Sequence, residues 1–267
     1  MPYLIGLIIA LFIAVTGVGA GTVTVPMLVL FLGVPAADAV GIGLLFASAV
    51  KFILVPAQIF RRNVNWRTLG WMLLGGVPGV LIGSLLLRHL VTMGAQNLLN
   101  AILGAILVLT AAWQLFFSFR PIKENLQRKN RSRLLGALML PVGAEVGFSS
   151  AGAGALGSAA LLSLTPLAPA QVVGTDIAFG FVVSLIGSGA HWATAGTNTT
   201  LLLQLIGGGV AGSIAGVLLS TRIPRRPLRL ALWIWLLILG SQFLVNSYQT
   251  YFAPPKQATK HLAQSHS

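Results

Sequence analysis

The sequence predicts an all-α polytopic membrane protein made of two inverted repeats, each a short-helix hairpin, re-entrant or short-spanning, followed by three transmembrane helices. Three observations carry this prediction. First, the chain of 267 residues is 56% hydrophobic and only 8% charged, with a mean hydropathy of +0.88. Second, residues 3–37, 68–87, 134–144, 146–175, 177–221 and 230–255 contain no Asp, Glu, Lys or Arg. Several of these runs exceed the ~20 residues that cross a hydrocarbon core. Third, sliding the chain along itself by 133 positions aligns residues 17–86 with 150–219 without a gap, giving 20 identities in 70 pairs, seven of them Gly on Gly. Composition alone would give roughly six.

So few charges cannot cover a water-soluble globule of this length, so lipid must be the solvent. Lipid allows only helices or closed barrels, and the apolar runs lack the alternation of strands. The net charge of +13 does not point to nucleic acid, because the basic residues sit in short loops between apolar runs. The absence of cysteine excludes disulfides and thiolate metal sites. The first apolar run is too long, and lacks the basic start, to be only a cleaved signal peptide.

Four parts are expected: a first membrane repeat over 1–119, a basic cytoplasmic linker over 120–133, a second membrane repeat over 134–250 and a polar tail over 251–267. The ordinary spans of repeat one are read at 39–60, 69–87 and 98–117, and those of repeat two at 172–194, 201–221 and 230–247. Equivalent loops differ in charge. Arg61, Arg62 and Arg67 crowd one loop, and its repeat partner, 194–200, carries no charge. Loop 88–96 holds one arginine, whereas 221–229 holds Arg222, Arg225, Arg226 and Arg229. The linker has six basic residues and one acidic. By the positive-inside rule equivalent loops lie on opposite sides, so the repeats are expected to be inverted. Inversion requires 134–168 to enter and return as two short arms turning near Gly152. By symmetry 2–34 turns near 17–21; one broken span over 1–34 is the alternative.

The two expected tips are glycine-rich: Gly19-Ala20-Gly21-Thr22-Val23-Thr24 running into Pro26, and Ser149-Ser150-Ala151-Gly152-Ala153-Gly154. Pro26 suits the early turns of a second arm, where a missing donor costs least. Free N–H groups at helix starts make an anion site that needs no formal charge. Gly19, Ala20, Gly21, Thr22, Thr24, Ser149, Ser150, Gly152 and Gly154 are therefore candidate substrate contacts, with close helix packing as the competing explanation. Gly75, Gly79 and Gly83, and their partners Gly208, Gly212 and Gly216, are read as packing positions.

Ionisable groups at membrane depth should face protein or water. Lys51 is a candidate counter-charge for an anion, and Glu145 and Asp176 are candidate carriers of a coupling proton. A Lys51–carboxylate pair that merely locks helices is the competing reading. Their repeat partners are Ser184, Phe12 and Gly43, so any charged function is asymmetric. His191, opposite Gln58 in the repeat, is a candidate for substrate or proton contact, or a structural hydrogen-bonder. Asn65 and Asn198 coincide just past span ends, which suits capping or turning.

These residues resemble the sulfite exporter TauE/SafE family of membrane permeases. The likeness runs from Gly17 to about Leu236 through Leu32-Gly33-Val34-Pro35, Ala39-Val40-Gly41, Arg61-Arg62-Asn63-Val64-Asn65-Trp66, Gly75-Gly76-Val77-Pro78-Gly79, Val173-Gly174-Thr175-Asp176 and Gly189-Ala190-His191. It implies secondary transport, in the bacterial inner membrane, of small anions such as sulfite, organosulfonates or related organic acids. The partners implied are the anion, the bilayer and a coupling proton; no cofactor, metal or nucleic acid is implied, and a homo-oligomer is compatible. The chain departs from the pattern in having Ile42-Gly43 where the second half has Thr175-Asp176. Two rival classes are an intramembrane serine protease pairing Ser149 or Ser150 with His191 and a structural subunit. The first leaves the duplication unexplained, and the second gives no reason for Lys51, Glu145 and Asp176.

Overall fold

The computed structural model describes residues 2–16, 20–118, 131–151, 154–192, 199–219 and 225–252, and every regular element among them is a helix. In order these are α1 (Pro2–Thr16), α2 (Ala20–Leu32), α3 (Ala36–Phe60), α4 (Trp66–Thr92), α5 (Gln96–Ser118), α6 (Ser132–Ser149), α7 (Ala155–Leu164), α8 (Pro169–Trp192), α9 (Thr199–Leu219) and α10 (Arg225–Phe252). Five of them, α3, α4, α5, α8 and α9, are long and apolar enough to cross a membrane; α10 carries a shorter apolar stretch, Leu230–Val245. Large apolar side chains such as Phe60, Leu74, Leu109 and Leu218 stand on the outside of the bundle, where only lipid suits them.

Local sequence explains the breaks. Gly33 adopts a left-handed φ of 63° after α2, and Pro35 then caps α3. Asn65 caps α4, its side chain accepting from the Thr68 N–H at 3.0 Å. Gly94, with φ 68°, turns the chain between α4 and α5. In the second repeat the expected two arms are present as α6 and α7; the turn expected near 17–21 falls on residues 17–19, outside the described residues. The Arg131 N–H donates to Leu164 O at 3.0 Å, so α6 starts where α7 ends, as a hairpin requires.

Two details differ from the sequence reading. The arm α6 has 18 residues, about 27 Å at the usual rise, so it is not short. Pro26 lies in the interior of α2 rather than in its first turn, because the helix already begins at Ala20. Membrane helices tolerate such an interior proline where neighbouring groups satisfy the freed carbonyl.

Glycine seams position the bundle. Along α4·α6, Gly75, Gly79 and Gly83 lie against Gly136, Leu140 and Ala144. Along α1·α9, Gly208, Gly212 and Gly216 lie against Tyr3, Leu7 and Leu11. At each of these glycines a Cβ would run into the neighbouring helix, so only glycine permits the approach. The two seams are the same contact made twice, since every residue in one is 133 positions from its counterpart in the other. Each half thus lays its first helix along the fourth helix of the other half. The cross-packing continues in the centre, where Gly76 receives the ring of Phe179 and Gly209 receives that of Phe46. Between these flanks run α3 and α8. Gly180 meets Lys51 and Gly187 meets Leu44, so these two equivalent helices pack antiparallel.

A candidate anion site where the hairpins meet

The end of α6 is built to expose a hydroxyl. Ser150 caps the helix with φ 61°, and its N–H returns to Val146 O at 2.8 Å. A left-handed serine is unfavourable by roughly 1–2 kcal/mol, and here the conformation turns the side chain away from its own helix. Ser150 is 4% exposed, and its Oγ has no hydrogen-bond partner. It is aimed at the other half. Gly21, at the start of α2, sits directly against Ser150, where any Cβ would overlap its carbonyl. On α3, a Cβ at Gly43 would stand 3.1 Å from Ser150 Oγ and 3.1 Å from Val25. The second hairpin's tip therefore touches the return arm of the first. Thr22 and Thr24 are buried just beyond this contact. Gly154 begins the approach to α7 as its N-cap. Gly19 and Gly152 lie outside the described residues, as does the side chain of Ala20.

A separate cavity of about 500 Å³ lies at one end of the bundle. It opens where α2 ends and α3 and α9 begin, and its lining includes Asp38, Ile42, Thr200 and Gln204.

The remaining candidates fall into three places. Ser149 is occupied locally, donating to Glu145 O at 2.9 Å and accepting from the Ala151 N–H at 3.2 Å. His191 Nε2 lies 3.0 Å from Gly147 O; a carbonyl only accepts, so the ring donates there. Ser84 Oγ reaches the same carbonyl at 3.4 Å. His191 thereby ties α8 to the end of α6. With the Ser149 hydroxyl turned to Glu145 O and that of Ser150 unpartnered, neither serine is paired with His191.

Glu145 is held by a residue of α5. Thr110 donates to its Oε1 at 2.7 Å, and the pair lies in a groove of about 480 Å³ between α4, α5, α6 and α7, otherwise lined by residues such as Ile82, Ile106, Leu109 and Trp113. Asp176 sits about two turns into α8. Ser158 on α7 donates to its Oδ2 at 2.7 Å, while Oδ1 has no hydrogen-bond partner. Lys51 on α3 and Asp176 are both nearly fully buried, and Lys51 Nζ meets α8 at Gly180, one turn from Asp176. Of the two carboxylates Glu145 and Asp176, Asp176 lies on the helix that Lys51 packs against.

Sequence reasoning missed Ser158, Thr110 and the role of Gly43. Only Gly43 left a signal, as the glycine standing where the other half has Asp176. Among the described residues no group of acidic and histidine side chains could hold a metal ion.

The sulfite exporter TauE/SafE family profile matches residues 3–243. This chain belongs to the TauE/SafE family. It is also 28% identical over 249 residues to the probable membrane transporter protein YjnA of Bacillus subtilis (strain 168), covering 90% of this chain and 98% of that one. No solved structure matches it. Membership makes this TauE/SafE protein an integral membrane transporter, of a permease class rather than an enzyme class.

Proposed function

We propose that this TauE/SafE protein is a secondary transporter of small anions, with sulfite, organosulfonates and related organic acids as the substrate class, working by alternating access in a bacterial inner membrane. The observation that carries the reading is Ser150: a buried, unpartnered hydroxyl held in a strained conformation at the contact between the hairpins. Buried polar groups are nearly always paired, and an exception calls for a ligand or a function. Beside Ser150 begins α2, whose first N–H groups add partial positive charge without desolvating a cation. Backbone donors and a hydroxyl suit an oxyanion that must be both held and released.

The repeat supplies the movement. Equivalent helices α3 and α8 run antiparallel, and the basic loops 61–67, 120–133 and 221–229 all fit one side of the membrane if the halves are inverted. Two inverted halves around a shared site can rock to open it first to one face and then to the other. The purified chain in proteoliposomes should take up labelled sulfite or a short sulfonate, and Gly21→Leu should abolish that flux by driving a side chain into Ser150. Full flux in a folded Gly21→Leu protein would remove the hairpin contact from the pathway.

A further inference from the structure

The pseudo-twofold makes the surroundings of Asp176 and of Gly43 the same place in the two halves, with different chemistry. In half one, Gly43 on α3 meets Val25 on α2. In half two, the counterparts are Asp176 on α8 and Ser158 on α7, joined by a hydrogen bond. Lys51, which meets α8 at Gly180 one turn from Asp176, has Ser184 as its repeat counterpart. One half has thus acquired a carboxylate, a hydroxyl and an ammonium where the other half is uncharged.

This cluster is only partly satisfied. Ser158 in the first turn of α7 serves Oδ2, but no donor, Lys51 included, reaches Oδ1. Asp176 Oδ1 points at Gly157 on α7, whose missing Cβ leaves the carboxylate its room. Lys51 Nζ rests on Gly180, four residues along α8 from Asp176 and so one turn away on the same face. From α4, Met72 closes the Gly157 side with an apolar methyl. Simple helix locking would call for the ammonium on the carboxylate, whereas here Oδ1 is buried without a donor and Lys51 Nζ rests a helix turn away at Gly180.

We propose that Lys51 and Asp176 form a selective anion site for a small oxyanion that still carries one acidic hydrogen. The ammonium, which can only donate, takes the anionic oxygens. The ligand's O–H donates to Asp176 Oδ1 in a charge-assisted hydrogen bond. A fully deprotonated oxyanion would set lone pairs against lone pairs at Oδ1 inside the bundle, where an unpaired charge is most costly. The site therefore reads the proton on its substrate, and each anion bound there brings one proton with it. This rests on the anion-carrier reading and narrows its substrate class to monoprotonated oxyanions, of which hydrogen sulfite is the probe.

The test uses the full chain in proteoliposomes at mildly acidic pH, comparing hydrogen sulfite with methanesulfonate, which has a similar head but no O–H. Wild type should carry hydrogen sulfite at least ~10-fold faster, as sites built around a substrate hydroxyl reject analogues that lack it. Asp176→Asn keeps a carbonyl for Ser158 and turns the unpaired acceptor into an N–H₂ donor. Its preference should fall by ~10-fold or invert toward methanesulfonate. In detergent, hydrogen sulfite should raise the unfolding temperature of wild-type protein where methanesulfonate does not, a readout that needs no variant to fold. Equal transport of both anions by wild type would overturn the proton-reading site and leave the anion carrier standing. An unchanged preference in folded Asp176→Asn would overturn it too. Transport of neither anion would sink the carrier reading itself, and this proposal with it.

Discussion

At the scale of single residues, Ser150 combines two costs that most proteins avoid, a left-handed non-glycine backbone and a buried hydroxyl without a partner. Glycine at this position would relieve both, because it enters the left-handed region freely and carries nothing to satisfy. Ser150→Gly should therefore stabilise the fold by about 1 kcal/mol, visible as a higher unfolding temperature in detergent. If the hydroxyl binds anion, the same variant should lose roughly tenfold in transport, the equivalent of about 1.4 kcal/mol of binding. Higher stability with undiminished transport would mean that the hydroxyl serves no substrate. The sequence made Ser150 a candidate through its place beside the glycine cluster, but its conformation was illegible: nothing in Gly147-Phe148-Ser149-Ser150 marks which serine ends the helix. Ser158 was hidden for another reason, because its repeat partner is the apolar Val25 and symmetry directs attention elsewhere.

At the scale of elements, glycine spacing was the most legible signal in the chain. Gly75, Gly79 and Gly83 recur every four residues, and so do Gly208, Gly212 and Gly216, so each set lies along one stripe of a helix. Sequence could identify the stripe but not its partner, which turned out to be the first helix of the opposite half. The seams predict sharply graded effects. At Gly79 and Gly212 a Cβ would overlap a carbonyl on α6 or α1, and Ala there should destabilise by roughly 1–3 kcal/mol as overpacking. On the same helix α4, a Cβ at Gly70 would meet nothing within 4 Å, and Gly70→Ala should be neutral or slightly stabilising. Melting curves of the three variants decide the matter; equal tolerance at all three would mean that the seams are not close-packed. Legibility failed for arm lengths, since α6 continues as helix through Pro141 where charge counting implied a short return.

At the scale of the whole molecule, we propose inversion of the two halves on two independent lines. Loop charge places 61–67, 120–133 and 221–229 on one side. Helix direction agrees without reference to charge: α8 runs against α3, and α6 runs with α4, since Gly136, Leu140 and Ala144 ascend alongside Gly75, Gly79 and Gly83. If α4 leaves the side that holds loop 61–67, then α6 leaves that same side, which is where the linker 120–133 must lie. A parallel duplication would instead set α3 and α8 in the same direction and split the basic loops between the two faces. The absence of native cysteine makes this directly measurable. In intact cells, a membrane-impermeant thiol reagent should label Asn198→Cys and leave Asn65→Cys untouched until the membrane is opened. Labelling of both from the same face would refute inversion, and with it the alternating opening of one site to two sides, because two halves of like orientation offer no symmetric exchange of inward and outward forms.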